Sequence, residues 1–130
     1  MKEDSTIYLV DDDDDDQEIF ALALEEAAPS FTCVTAKNAI EALECLKAGF
    51  VRPDCIFLDL NMPLMNGKQC LEEIKKQTKL AEIPVVIYTT SSEPRDREQM
   101  LAMGAAAFIT KPPGIDELIA SLNDIFIQLK

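Results

Sequence analysis

The chain has no histidine and no closely spaced cysteine pair. Its four cysteines, Cys33, Cys45, Cys55 and Cys70, are separated by 12, 10 and 15 residues. Zinc sites draw on Cys and His at short spacing and dithiol redox centres on CxxC, so both are disfavoured. Each cysteine falls among apolar residues, the pattern of buried thiols in a reduced, cytosolic protein. Basic residues are scarce as well: 12 Lys and Arg stand against 24 Asp and Glu, a net charge of −12. Nucleic acids and anionic membranes are gripped by Lys/Arg-rich surfaces, so direct binding to either is not expected. No segment approaches the ~20 apolar residues of a membrane span. The polar start, Met1 to Ser5, lacks the apolar stretch of a signal peptide, and no linker or repeat interrupts the remainder of the chain.

What is present is a core-forming pattern. At 130 residues and 48% hydrophobic composition, the chain has the size of one ordinary domain. Five short apolar runs occur, Thr6 to Val10, Phe31 to Thr35, Cys55 to Leu58, Val85 to Tyr88 and Ala106 to Ile109. They are continuous, not alternating, as expected of strands buried on both faces of a parallel sheet. Between them the period becomes helical. Ile19, Phe20, Ala23, Leu24 and Ala27 form one stripe ended by Pro29, and Ile40, Leu43 and Leu46 a second ended near Gly49. Leu71 and Ile74 belong to a third, and Met100, Leu101 and Met103 to a fourth closed by Gly104. Leu118, Ile119, Leu122, Ile125, Phe126 and Leu129 make the last and most regular. Five β-α units with short connections predict an α/β fold, a doubly wound five-stranded parallel sheet with helices on both faces. The expected strand order is the flavodoxin-like 2-1-3-4-5.

In that order the first and third strands are neighbours at the switch point, where ligands bind beyond the carboxyl ends of the strands. Asp11 and Asp12 end the first strand and Asp59 the third; Thr89, Thr90 and Ser91 follow the fourth, and Thr110 and Lys111 the fifth. Three carboxylates placed together repel one another unless a cation is present. A hard, oxygen-ligated ion such as Mg²⁺ resolves that conflict, with Mn²⁺ as the alternative. A carboxylate left partly free beside the ion can attack phosphorus. Lys111 and the Thr89 hydroxyl would then face the charge on the phosphoryl oxygens.

Four segments, in order, resemble the receiver domain of two-component response regulators over essentially the whole chain. Leu9-Val-Asp-Asp12 is similar to its strand-1 acidic pair, and Phe57-Leu-Asp-Leu-Asn-Met-Pro63 with Met65-Asn-Gly67 to its acceptor loop. Ile83-Pro-Val-Val-Ile-Tyr-Thr89 is similar to its fourth strand, and Gly104-Ala-Ala-Ala-Phe-Ile-Thr-Lys-Pro112 to its fifth. The resemblance implies that Asp59 is the phosphoacceptor, assisted by Thr89 and Lys111. It implies metal binding by the Asp12 and Asp59 carboxylates and the Asn61 backbone carbonyl, with Asp11 assisting. Thr89 and Phe108 would be the switch pair, Asn61 and Ser91 would tune the lifetime of the phosphorylated state, and the Lys111–Pro112 peptide would be cis. A histidine kinase or histidine phosphotransfer protein would be the donor. The downstream partner would be a protein bound through the face of the fourth helix, fifth strand and fifth helix, a face also open to homodimerisation. The expectation is a single receiver domain over residues 1–130 with no output domain, cytoplasmic, and without substrate turnover beyond its own phosphorylation and dephosphorylation.

Three features depart from the pattern. Lys111 is followed by two prolines and a glycine instead of one proline and an apolar residue. Thr90 is bulkier than the alanine common there, which narrows the entrance to the acceptor. The aspartate run extends to Asp16; Asp13 to Asp16 have a bland account in capping and solvating the start of the first helix. Two other functions compete. An aspartate-nucleophile phosphohydrolase would place an acid two residues after the nucleophile, where Asn61 stands. A degenerate receiver, serving as a constitutive binding module, would not need Asp12, Asp59, Thr89 and Lys111 together.

Overall fold

The computed structural model describes residues 3–129; Met1, Lys2 and Lys130, the ends of the expected single domain, lie outside the described residues. Five strands, β1 (Thr6–Val10), β2 (Thr32–Ala36), β3 (Cys55–Leu58), β4 (Val85–Thr89) and β5 (Ala107–Thr110), alternate with five helices. These are α1 (Asp14–Ala27), α2 (Ala39–Ala48), α3 (Gly67–Lys76), α4 (Pro94–Ala102) and α5 (Ile115–Gln128). All strands pair in parallel, in the order β2-β1-β3-β4-β5. The doubly wound sheet with order 2-1-3-4-5 is therefore present. Strands β2, β4 and β5 each run one residue past the apolar run that announces them, because the register with a neighbour, not hydrophobicity, decides where pairing stops.

Alternate strand residues feed two cores. Ile7, Leu9, Phe57, Val86 and Tyr88 point to the layer of α1 and α5, where they meet Phe20, Leu24, Leu118 and Leu122. Tyr8, Val10, Ile56, Leu58, Ile87 and Phe108 point to the opposite layer, with Leu43, Leu46, Leu71, Ile74 and Met100. The helical stripes are buried or half-buried where they were expected, with three exceptions. Ile19, Ile40 and Leu101 are exposed, because the packed face of each helix centres on its neighbours Phe20, Ala39 with Leu43, and Met100. Cys55 and Cys70 are buried and Cys33 and Cys45 half-buried, all as free thiols. No helix among the described residues is long and apolar enough to cross a membrane.

Local chemistry sets the helix starts that matter for the site. The Asp13 side chain accepts from the Asp15 and Asp16 amides and caps α1. At α3, Asn66 and Gln69 form a reciprocal capping box: Asn66 Oδ1 accepts from Gln69 N at 2.9 Å, and Gln69 Oε1 from Asn66 N at 3.0 Å. Immediately before it, Leu64 is 82% exposed and holds φ at 70°, a left-handed conformation uncommon for a branched apolar residue.

Candidate functional site

The sheet delivers three carboxylates to one place. Asp59 N donates to Val10 O at 3.1 Å and Asp11 N to Ala36 O at 3.1 Å, so the strand pairing continues one residue into both acidic positions. Asp11, Asp12 and Asp59 each offer an oxygen within 4.8 Å of the others. Asp11 and Asp59 are buried and Asp12 is exposed. The Asp13 amide donates to Asp11 Oδ1 at 3.0 Å and the Asn61 amide to Asp59 Oδ1 at 3.2 Å. Burial pushes the Asp11 carboxyl above the usual carboxylate range, against the opposing pull of hydrogen bonds from Lys111 and Asp13.

Lys111 enters from the end of β5, its amide donating to Thr89 O at 2.6 Å. Its ammonium contacts Asp16 Oδ2 at 2.7 Å, Asp11 Oδ2 at 2.8 Å and Asp59 Oδ2 at 3.2 Å. It also lies 5.2 Å from the Tyr88 ring centroid. Burial alone would lower its pKa; hydrogen bonds to Asp11 and Asp16 and the charge of Asp59 outweigh this and hold it above the ordinary lysine value. The ammonium is thus charged at any ordinary pH. The Lys111–Pro112 peptide is trans, contrary to expectation. Trans is the favoured X-Pro form by about 0.5–1 kcal/mol, and with it the ammonium still reaches all three acids.

Thr89 is fully buried at the end of β4, and its hydroxyl accepts weakly from Ser91 N at 3.4 Å. Ser91 itself is engaged elsewhere: its hydroxyl donates to Asp96 Oδ2 at 2.5 Å and accepts from Glu93 N at 3.3 Å, which pins the start of α4. Phe108 is buried against Met100, Ala105 and Ile87, and its carbonyl accepts from Arg97 Nη1 at 3.1 Å. Asn61 is exposed at the rim.

The donor set fits a hard divalent cation. It consists only of oxygens, carries three negative charges at close range, and opens to solvent through Asp12. Asp11 stands in that oxygen cluster with Asp12 and Asp59.

Four contributors escaped the sequence reading. Asp16, assigned to capping and solvation, instead touches Lys111. Gln17 Nε2 donates to Asp11 O at 2.6 Å, tying α1 to the acidic loop. Asp96 holds Ser91. Gly67, at the first turn of α3, is packed against the backbone of Asp59: a Cβ there would lie 2.2 Å from Asp59 O. For Gly67 the signal was available, since a glycine opening a helix after an Asn cap invites the question of close approach.

The fold and this cluster define a receiver, a domain built to hold a reactive carboxylate at a sheet's carboxyl edge. The chain belongs to the response regulator receiver domain family, whose model matches residues 7–123, and its function is that of a receiver in two-component phosphorelay signalling. It is 32% identical over 120 residues to the phosphate regulon transcriptional regulatory protein PhoB of Pseudomonas aeruginosa, covering 92% of this chain and 51% of that one. It is 36% identical over 121 residues to the transcriptional regulatory protein CpxR homolog of Haemophilus influenzae, covering 93% and 50%. The chain spans about half the length of these curated relatives. Among solved structures, the phosphorylated cyanobacterial phytochrome response regulator RcpA superposes with a TM-score of 0.85 at 31% identity, covering 94% of this chain and 91% of that one. The Mn²⁺-bound response regulator Rcp1 superposes with 0.83 at 27%, covering 93% and 91%.

Proposed function

We propose that Asp59 accepts a phosphoryl group from a histidine kinase or histidine phosphotransfer protein. One observation carries the reading: the three carboxylates and the Lys111 ammonium converge at a single rim, with Lys111 Nζ 3.2 Å from Asp59 Oδ2. An Asp59 oxygen attacks phosphorus, the bond from phosphorus to the donor's imidazole nitrogen breaks with its electrons leaving on that nitrogen, and an acyl phosphate remains on Asp59. Asp11 and Asp12, with Asp59 and the Asn61 backbone carbonyl, would hold Mg²⁺, or Mn²⁺ in its place. The ion supplies charge for the phosphoryl oxygens and screens the repulsion among the acids. Lys111 supplies a second positive charge and the buried Thr89 a hydroxyl donor.

Thr89 and Phe108 are read as the responsive pair. Phe108 is already packed inward, so the change it transmits would begin at the Thr89 hydroxyl. Asn61 and Ser91 are read as setting how long the acyl phosphate survives, Asn61 from the rim and Ser91 through its grip on α4. Output would pass by protein contact through α4, β5 and α5, a face also suited to a second copy of the chain. A cytoplasmic setting and the absence of turnover beyond self-dephosphorylation belong to the same reading.

The test is incubation with Mg²⁺ and acetyl phosphate, followed by intact mass measurement. A gain of one phosphoryl group in the native chain and none in Asp59→Asn is the expected result. No adduct would leave a constitutive binding module, and multiple turnover of small phosphate esters would point to a hydrolase.

A further inference from the structure

Lys111 makes three ion pairs, and they are not equivalent. Two of its partners, Asp11 and Asp59, belong to the trio whose oxygens gather within 4.8 Å. The ammonium therefore occupies the same carboxylates that a divalent cation would take. The third partner, Asp16, lies outside that trio, in the first turn of α1. It holds Lys111 at the shortest of the three distances, 2.7 Å.

An entering cation draws Asp11 and Asp59 toward itself and strips Lys111 of two of its three acceptors. The Lys111 side chain is only 9% exposed. An ammonium left there without a counter-charge is costly, and that cost falls on cation binding. Asp16 is 30% exposed and fixed by the α1 start, so it retains the ammonium as the other two let go. The Tyr88 face, 5.2 Å away, is a weaker second seat.

We propose that Asp16 is a positioning residue that receives Lys111 when a divalent cation displaces it, so that Asp16 strengthens cation binding without being a ligand. This rests on the reading of the acidic trio as a cation site. It explains why the aspartate run extends beyond the two residues that the ion itself needs: Asp13 caps α1, and Asp16 serves Lys111.

The test is calorimetric titration of the full chain with Mg²⁺, repeated with Mn²⁺, on the native protein and on variants whose folding is checked by circular dichroism. Asp16→Ala should raise the dissociation constant roughly tenfold, the equivalent of one partly exposed charged hydrogen bond. Asp16→Asn, which keeps an acceptor for the ammonium, should recover part of that loss. Asp15→Ala removes the same charge from the same turn without touching Lys111, and should change affinity less than about twofold, as a screened surface charge does. In a Lys111→Met background, Asp16→Ala should have no larger effect than Asp15→Ala. Unchanged or tighter binding by Asp16→Ala overturns the proposal, as does a loss that persists undiminished in the Lys111→Met chain. A native chain that binds neither ion overturns both this and the functional reading. Native binding together with a failure of acetyl phosphate to modify Asp59 overturns only the latter.

Discussion

Replacing Gly67 by alanine should damage the acceptor site through the backbone, with no side chain of the site altered. The added Cβ would stand 2.2 Å from Asp59 O, 2.8 Å from Leu60 Cα and 2.9 Å from Asp59 C. Real Cβ contacts essentially never fall below 3.0 Å, so the α3 start and the Asp59–Leu60 segment must separate by about 0.8 Å, the gap between 2.2 and 3.0 Å. Both sides resist. Gly67 N donates to Leu60 O at 2.9 Å, the capping box holds the α3 start from the other side, and Asp59 N is tied to Val10 O. None of the three atoms is the end of a flexible side chain, so a rotamer change cannot relieve the clash. Overpacking of this kind costs about 1–3 kcal/mol, and here the upper end is expected.

The functional consequence depends on where the strain is released. If β3 holds, the displacement is taken up at Asp59, Leu60 and the chain leading to Asn61, which includes the proposed nucleophile and a proposed ligand. A misplacement near 1 Å can cost on the order of 10²-fold in rate. Urea denaturation with far-ultraviolet circular dichroism reads the stability, and intact mass after acetyl phosphate reads the phosphorylation rate under conditions where the variant is fully folded. Gly67→Ala with native stability and a native rate would refute the inference that the helix start is wedged against the acceptor's backbone.

Other perturbations act at single, separable points. Leu64→Gly should stabilise the chain by about 0.5–1 kcal/mol, since it removes a left-handed penalty of about 1–2 kcal/mol and forfeits little burial, while the added unfolded-state entropy offsets about 0.5–1 kcal/mol of that gain; a lower urea midpoint would count against it. Asn66→Ala removes the half of the α3 capping box in which Asn66 Oδ1 accepts from Gln69 N, and should cost about 1 kcal/mol, with Asn66→Ser recovering most of it in the same measurement. Burial pushes the Cys55 and Cys70 thiols up to about 12, so the folded state keeps protons that the unfolded chain releases above its ordinary thiol pKa near 8.5. Stability is therefore unaffected by these groups below that pH and falls above it, by roughly 1.4 kcal/mol per thiol per pH unit. Stability measured between pH 9 and 10 should show this slope, and Cys70→Ala should make it shallower whatever its own cavity costs; an identical slope would contradict the assignment.

The elements and their order were legible because buried parallel strands and amphipathic helices write different periods into the chain, and because the strand ends then fall where polar residues stand. Asp59, Asp11, Thr89 and Lys111 each lie at or just past the end of an apolar run, so knowing the sheet order was enough to bring them to one edge. What was not legible depends on the reach of side chains and on backbone contact. Asp16 faces Lys111 from 95 positions away in sequence, and within its own segment it is indistinguishable from Asp13 to Asp15. Thr89 and Ser91 were read together as hydroxyls at a strand end, yet only Thr89 is buried at the rim while Ser91 turns to Asp96 and fastens α4. The trans Lys111–Pro112 peptide was misjudged because the expectation came from resemblance, and the Pro112-Pro113-Gly114 departure lies at that very bond.

The balance of charge at the rim explains how the site can exist before any ion arrives. Asp11, Asp16 and Asp59 surround one ammonium, and Asp12 stands in solvent where its charge is screened. Without Lys111, two buried carboxylates would face each other uncompensated. Lys111 supplies the counter-charge to Asp11 and Asp59 together. A divalent cation can take over that pairing only if the ammonium has somewhere to go. The first turn of α1, by placing Asp16 beside the exit from the trio, makes the exchange of one cation for another a local rearrangement. On the proposed reading, lysine and metal would be successive partners of Asp11 and Asp59, with Lys111 retained at the rim by Asp16.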